Sequence, residues 1–557
     1  MPVPLCGKNH CSSIGRRKAT SGIVVYLIEC LFKLATALAV AAPASTRSRG
    51  AVTLSTGEQK QLSDRTVGWP GTKALGNWVL ACCLAFTVLT AIVPFARSFY
   101  RVEWNYNEGW NVYNAATVAA HGQLYPKKTG WTTVNYPMLS FVLVAKLHRW
   151  TRDYLFTASA LSLLSLCFCC LLVGAIVRRL VSTWRPALLA AFFCLAIFAV
   201  AADYPAYVGV DDPQMLALLF FLCGFFAYLR LGHTLLGLGL SALLFVLAGS
   251  IKQNPIEFPL AVLFDLLLIS RRRALWFSAC GIALLAISLG LQLHYGGPSL
   301  FAALLLPRAY SALKAFKLSG IVLGPLILPL GVSIYSGWKL RKDPQRRIIA
   351  ILLALAVLAG GCFLGGDGVS INSLFGAYLA MSILAGLFLS RLEDLPHPWA
   401  ASAPAFLFGW LLIPWLVVPT LDDRRTTQID WDPPLALERI ATAQARFDSE
   451  VAFLRVEPGP ALCESMLRCY FAGKPYVYDP FNATRMVGLG KLNANVLATA
   501  LRRHQYGAIQ VNGPLADQRR TEMFAPPILE AIRENYHSAF ENQDGAIYVP
   551  NRGGSPK

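Results

Sequence analysis

Apolar runs of roughly 20 residues recur along this chain, the length an α-helix needs to cross the hydrocarbon core of a bilayer. They stand near 76–95, 154–177, 186–202, 214–229, 234–250, 255–269, 275–293, 319–337, 347–364, 374–390 and 401–420. No other feature restricts the fold so tightly, because in lipid each backbone amide must be satisfied within the protein, and such runs achieve this as helices. Of the 557 residues, 55% are hydrophobic and only 15% are charged, too little charge for a soluble chain of this length. The expectation is a polytopic α-helical membrane protein with about eleven transmembrane helices.

The net charge of +19 invites a nucleic-acid reading, which the positions of the charges oppose. "RR" at 178–179, "RRR" at 271–273 and "KLRKDPQRR" at 339–347 occupy short loops between apolar runs. Basic residues so placed set orientation, with the basic loops on the cytoplasmic side. Taking the segment before residue 76 as cytoplasmic puts loops 178–185, 230–233, 270–274, 338–346 and 391–400 inside. Loops 96–153, 203–213, 251–254, 294–318 and 365–373, with everything after Leu421, then fall outside. The start of the chain also reads a second way. "RRKATSGIVVYLIECLFKLATALAVAAPAS" has the basic, apolar and small-residue order of a signal peptide, whose removal would invert every loop. The loop charges favour a cytoplasmic or interfacial extension over residues 1–75.

Most of the fourteen cysteines lie in apolar runs and act as small hydrophobes. Cys463 and Cys469, in the polar tail, are either a disulfide or two thiols. From residue 422 the composition turns polar. There "VAFLRVEP" and "YGAIQVNG" read as buried strands, "PPILEAIRENY" as a helix opened by prolines, and "GAIYVPNRG" as a last strand. The expected division is an extension over 1–75, a membrane unit over 76–421 with a catalytic first outer loop at 96–153, and a small extracytoplasmic α/β domain over 422–557.

Under this topology the polar exceptions converge on one membrane face. Glu108 sits in "YNEGW", Asp211 and Asp212 in "YVGVDDPQM", Lys252 and Asn254 in "SIKQNPIEF", Arg308 in "LLLPRAY", and Asp367 and Asn372 in "GGDGVSIN". An ionisable group at membrane depth costs about 2.5–3.5 kcal/mol on insertion scales, so a cluster of them requires a reason. A lipid-phosphate substrate supplies one: a cation binds phosphate, a carboxylate activates the acceptor, and the tail lies between helices. Each residue has a plainer reading: Glu108 as a solvated loop acid, one aspartate as a cap on the following helix, Lys252 as a snorkelling lysine and "GGDG" as a turn. Tyr106 and Trp110 fit an interfacial aromatic belt or a platform for a sugar ring. The segment from Gly109 to Ala120 has the spacing of a helix lying along the surface.

"NEGWNVYNAATVAAHGQLYP" followed by "NYP" resembles the "DEG-x-Y-x-x-A-x-x-x-x-x-G-x-LY" segment of the GT-C superfamily of integral-membrane glycosyltransferases. Within it the chain looks like the protein mannosyltransferase, aminoarabinose transferase and RgtA/B/C/D-like branch, over roughly residues 76–420. The resemblance implies transfer of a sugar, with inversion, from a polyprenyl-phosphate-linked donor to a lipid, glycan or protein acceptor at the outer face of the cytoplasmic membrane. It places the family's catalytic acid on Asn107 or Glu108. Because this chain has Asn-Glu where the branch often has Asp-Glu, Glu108 is the only candidate base there. Asp211 or Asp212 takes the position of the second-loop acid, and Lys252 or Arg308 that of the phosphate-binding cation. Relatives differ in using a divalent cation such as Mg or Mn; here Asp211 and Asp212 are the residues to hold one. The rival classes are a transporter and a catalytically inactive scaffold on the same fold.

Overall fold

The computed structural model describes residues 70–127, 130–200, 207–393, 400, 402–417, 433–515 and 521–551. The N-terminal extension up to residue 69 and the start of the polar tail, 418–432, lie outside the described residues.

Among the described residues each apolar run falls on helix, the one at 319–337 divided between two by a 3-10 turn at Gly324–Leu326. α1 (Pro70–Arg97) enters the body, and two short amphipathic helices follow, α2 (Asn107–Ala119) and α3 (Leu139–Thr151). Then come α4 (Tyr154–Val181), α5 (Trp184–Val200), α6 (Gln214–Leu231), α7 (Leu235–Ile251), α8 (Glu257–Ile269) and α9 (Arg271–Gly296). The short α10 (Leu300–Leu304) precedes α11 (Ala312–Leu323), α12 (Ile327–Leu340), α13 (Arg347–Phe363), α14 (Phe375–Glu393) and α15 (Ala403–Val417). Among the described residues, six stretches are long and apolar enough to cross a membrane: Ala74–Arg97, Tyr154–Val181, Gln214–Leu231, Arg271–Gly296, Ala312–Leu340 and Ile371–Glu393. Shorter apolar helices, α5, α7, α13 and part of α15, lie among them. The chain is built as an integral membrane protein.

Local sequence sets the ends of these helices. Asp153 caps α4 by accepting the Phe156 N–H at 3.1 Å, and Ser182 ends it in the left-handed region. Thr234 caps α7 through the Gly237 N–H at 3.0 Å. Packing then sorts the helices. α14 is apolar all round and buried on nearly every side, with Gly376, Ala377, Ala380, Ala385 and Gly386 at its contacts. A Cβ at Gly386 would lie 2.7 Å from that of Ala190, so the absence of a side chain lets α14 reach α5. Close approach through small residues is how helices associate where lipid is as apolar as leucine. By contrast α9 exposes Leu275, Ile282, Leu285, Ile287 and Leu291, a face suited to acyl chains.

The C-terminal part begins with α16 (Pro433–Val456) and continues through β1 (Ala461–Cys463), α17 (Met466–Phe471), α18 (Pro480–Gly488), α19 (Ala494–Arg502), β2 (Ala508–Val511), α20 (Pro526–Asn535), β3 (Tyr536–Glu541) and β4 (Ala546–Pro550). The four strands form one sheet in the order β1-β2-β4-β3, with β1 parallel to β2 and the other neighbours antiparallel. "VAFLRV", expected as a strand, is instead the last part of α16. Phe447, Val451 and Leu454 are all buried, a spacing of four and three that continues one helical stripe. Cys463 and Cys469 are joined in a disulfide. Arg468 and Glu450 form a buried ion pair at 2.6 Å.

One apolar cluster ties this part to the segment between α1 and α4. Trp110, Val112 and Tyr113 of α2 and Phe141 of α3 pack with Phe447, Val451, Met466 and Leu467. Gly109 permits the contact, because a Cβ there would lie 2.7 Å from the Met466 carbonyl carbon.

Candidate active site

The loop between α1 and α2 is built around one carboxylate. Glu108, in the first turn of α2, is only 1% exposed. Its Oε2 accepts the N–H groups of Trp104 at 2.6 Å and Asn105 at 3.0 Å, and its Oε1 accepts that of Asp211 at 3.3 Å. A glutamate near a helix start that reaches back to preceding amides satisfies donors the helix leaves free. Burial pushes its pKa up, while the three amides and the Arg97 guanidinium pull it down, leaving it at about 7. Half of such a group is ionised near neutrality, the condition for a general base.

Around Glu108 stands a second layer of charge. Asp212 is buried and accepts the Lys252 ammonium at 2.7 Å, the Gln214 N–H at 2.8 Å and the Asn107 amide at 3.1 Å. The Gln214 bond is the capping role expected of one aspartate at this position. Asp211 is buried too; its carbonyl accepts the Asn111 amide at 2.6 Å, and its Oδ2 has no partner among the described residues. Burial first, then the Glu108 and Asp212 charges, push the Asp211 carboxyl well above the usual range. A cavity beside it is lined by Asn111, Ser140, Phe141, Ser162, Asp211 and Asp212. Asn111 Oδ1, Ser140 Oγ, Ser162 Oγ and Asp211 Oδ2 are buried there without partners among the described residues, walls that suit water or a hydroxyl-bearing guest.

The structure gathers Tyr106, Asn107, Glu108, Asp211, Asp212 and Lys252, and through Gln214 it joins Asn372, whose side-chain amide donates to Gln214 Oε1 at 3.4 Å. Asn254 is half-buried two residues beyond Lys252. Arg308 and Asp367 meet each other farther out, the Arg308 guanidinium donating to the Asp367 carbonyl at 3.3 Å. Two expectations need correction. Lys252 is 1% exposed and its charge is matched by Asp212, so it organises the acid instead of meeting phosphate; its ammonium also lies 4.6 Å from the Tyr136 ring centre. Trp110 is 2% exposed, donates to the Thr133 carbonyl at 2.8 Å and packs edge-on against Tyr136 and Phe141. It is a core residue and no sugar platform.

The donor set does not fit a divalent ion held by the aspartate pair. Asp212 is committed to Lys252, both oxygens of Glu108 accept amides, and of these three carboxylates Asp211 alone has an oxygen without a partner among the described residues. Among the described residues, no group of three His, Cys, Asp or Glu side chains is placed to share a metal.

Sequence reasoning missed four residues. Arg97 closes α1 by donating to the Val208 carbonyl at 2.9 Å and lies over the Trp104 ring. Glu103, half-buried, accepts the Ser465 hydroxyl. Asp479 receives the Tyr106 hydroxyl and both the backbone N–H and side-chain amide of Asn482. Arg485 lies one turn further along α18. A carboxylate five residues before Glu108 was a visible signal for Glu103; nothing local in the sequence marks the other pairings.

No protein-family model matches the chain, and no curated protein matches it by sequence. Solved structures do. ArnT from Cupriavidus metallidurans bound to undecaprenyl phosphate superposes with a TM-score of 0.54 at 12% identity, over 85% of this chain and 98% of that one. The apo state of the same protein gives 0.55 at 11% identity, over 86% and 98%. The oligosaccharyltransferase of Archaeoglobus fulgidus reaches 0.46 at 11% identity over 88% of this chain and 75% of its own, a similarity too slight to argue from. This likeness covers most of both chains, and by it the chain has the GT-C fold seen in ArnT.

Proposed function

We propose that this protein is a membrane glycosyltransferase that moves a sugar from a polyprenyl-phosphate-linked donor to a hydroxyl-bearing acceptor at the outer face of the cytoplasmic membrane. The observation that carries the reading is Glu108: a buried carboxylate in the loop after the first apolar helix, held by three backbone amides with its pKa near 7. The fold shared with ArnT, which binds undecaprenyl phosphate, supports the donor class. In this reading about eleven helices span the bilayer, residues 1–75 precede them on the cytoplasmic side, and the part after residue 421 lies outside.

Glu108 takes the proton of the acceptor hydroxyl as its oxygen forms a bond to the anomeric carbon. The bond from that carbon to the phosphate oxygen breaks, and its electron pair leaves with the polyprenyl phosphate. One displacement of this kind inverts the anomeric centre. Asp211, beside Glu108 and facing the polar cavity, orients the acceptor. Asp212 and Lys252 hold the second loop against α2 through Asn107. Negative charge grows on the departing phosphate, so a cation at that point lowers the barrier; Arg308 serves there.

Purified protein, wild type and Glu108→Gln, should be compared in transfer from polyprenyl-phosphate sugars. Turnover by the wild type and its loss in a folded Glu108→Gln protein support the reading. Equal activity in both proteins moves the base elsewhere. No turnover by the wild type across donors favours a non-catalytic scaffold on the same fold.

A further inference from the structure

Arg485 is a guanidinium without a complete set of partners. It is 8% exposed, yet its Nε and Nη2 have no hydrogen-bond partner among the described residues. Those two atoms form one edge of the group, the edge that grips an oxyanion with two parallel N–H bonds. Its ring neighbour is Phe481, one turn earlier on α18, at 5.7 Å from the guanidinium carbon. Leaving such donors buried and unmet is unfavourable, so the enclosure calls for an acceptor.

Two further cations approach the same loop from other parts of the chain. Arg308 donates to the Asp367 carbonyl at 3.3 Å, and Lys314 of α11 donates to the Gly366 carbonyl at 3.2 Å. Arg485 reaches the next residue, since a Cβ on Gly368 would lie 3.7 Å from its Nη1. The carboxylates nearby do not neutralise the three. Asp367 stands 3.9 Å from Lys314 and is 43% exposed. Asp479 already accepts three donors, from Tyr106 and Asn482. Burial first, then the Arg308 charge, disfavour the ionised form of Arg485; a bound anion relieves both.

We propose that Arg485, Arg308 and Lys314, gathered around Asp367 and Gly368, form a phosphate-binding site completed by the C-terminal part of the chain. This rests on the glycosyltransferase reading for the identity of the phosphate, which is that of the polyprenyl donor and product. The contact that docks α18 also positions the site. The Tyr106 hydroxyl donates to Asp479 and accepts the Phe481 N–H at 3.1 Å, so the loop carrying Glu108 and the helix carrying Arg485 are fastened together. Arg308 bridges the two regions, acting electrostatically on Tyr136 as well as on Arg485.

The test is binding of undecaprenyl phosphate, undecaprenol and inorganic phosphate to the full-length protein in lipid nanodiscs, for wild type, Arg485→Gln and Arg485→Lys. Arg485→Gln should weaken undecaprenyl phosphate about tenfold or more, the scale of losing a charge-assisted fork, and leave undecaprenol unchanged. Arg485→Lys keeps the charge without the fork and should fall between, which separates phosphate recognition from a folding defect; unchanged thermal unfolding of both variants is the control. Equal binding of undecaprenyl phosphate by wild type and Arg485→Gln overturns the proposal and leaves the glycosyltransferase reading intact. Arg485-dependent binding of inorganic phosphate without any binding of the lipid keeps the anion site and removes the lipid donor. Binding of neither phosphate by the wild type overturns the site itself.

Discussion

Two clusters of buried charge sit at opposite ends of α6, and they are built on different terms. At its last turn the Tyr228 hydroxyl donates to Asp265 Oδ2 at 2.7 Å, while Arg347 Nε pairs with Oδ1 at 2.8 Å. One carboxylate there has one cation and one neutral donor, which is what charge buried among helices requires. At the first turn Glu108, Asp211 and Asp212 crowd together, and Lys252 answers only Asp212. An oxygen of Asp211 is left without a partner among the described residues. The first cluster ties α6, α8 and α13 together. The second has more carboxylates than cations, Lys252 at Asp212 and Arg97 acting on Glu108, so burial holds Asp211 and Glu108 towards their protonated forms and leaves Glu108 able to take up or release a proton near neutrality.

The comparison breaks most visibly through activity. Glu108→Gln should lower the turnover number by about 10²–10⁴-fold, the usual contribution of a general base, with a stability loss of only about 1–3 kcal/mol, since the amide nitrogen cannot accept the backbone N–H that one carboxylate oxygen accepted. Asp265→Asn, at the other end of α6, should do the reverse: transfer persists in the molecules that remain folded, and the melting temperature falls. Parallel losses of activity in the two variants would mean that the clusters do not differ in kind.

Stability sharpens the contrast next. Lys252→Met strands Asp212 in the interior and should destabilise by about 3–5 kcal/mol, the scale for removing one partner of a buried pair. Adding Asp212→Asn should recover most of that loss, since both charges are then gone, without returning activity. Calorimetry on the two single variants and the double variant measures the coupling directly. A single Lys252→Met as stable as wild type would show that the Asp212–Lys252 pair contributes no net stability.

How much of this could be read beforehand follows from which interactions are local. The helices were legible because run length and apolarity are themselves the physical condition for spanning a bilayer. Glu108, Asp212 and Lys252 were legible as ionisable groups at the ends of oily segments. The pairing of Tyr106 with Asp479 joins residues 373 positions apart, and no spacing rule spans that distance. Arg485 was invisible for the same reason, since its meaning comes from Gly368 and Arg308 folding next to it. "VAFLRV" failed differently: six apolar-rich residues fit a strand or a helix equally well, and only the preceding stripe through Phe447 decides. Lys252 and Trp110 were read as side chains open to substrate and are both buried, because burial depends on neighbours such as Asp212 and Phe141 that arrive from elsewhere in the chain.

Smaller effects probe each cluster from within. Tyr228→Phe deletes one of the two donors to Asp265 and should cost about 1.5–3 kcal/mol, the range for a hydrogen bond to a charged group, with transfer unchanged. The same deletion at the other end, Tyr106→Phe, removes the hydroxyl shared by Asp479 and Phe481 and should impair donor binding more than stability. Unfolding curves and donor affinities for the two variants place them on different axes if the two ends differ as described.

The pH profile carries the smallest expected change and the most specific one. A base with a pKa of about 7 must be deprotonated to work, so kcat/KM should rise with pH and level off above that value. Below it, activity should fall about tenfold per pH unit. The direction follows from the form required: lowering the pH fills Glu108 with the proton it has to receive. Arg97 is one of the groups holding that pKa down, so Arg97→Gln should move the ascending limb to higher pH, while Arg97→Lys, which keeps the charge, should move it less. A limb that stays in place in Arg97→Gln while activity remains measurable would mean that the titrating group is not Glu108, and that the excess of carboxylates at this end of α6 serves another proton.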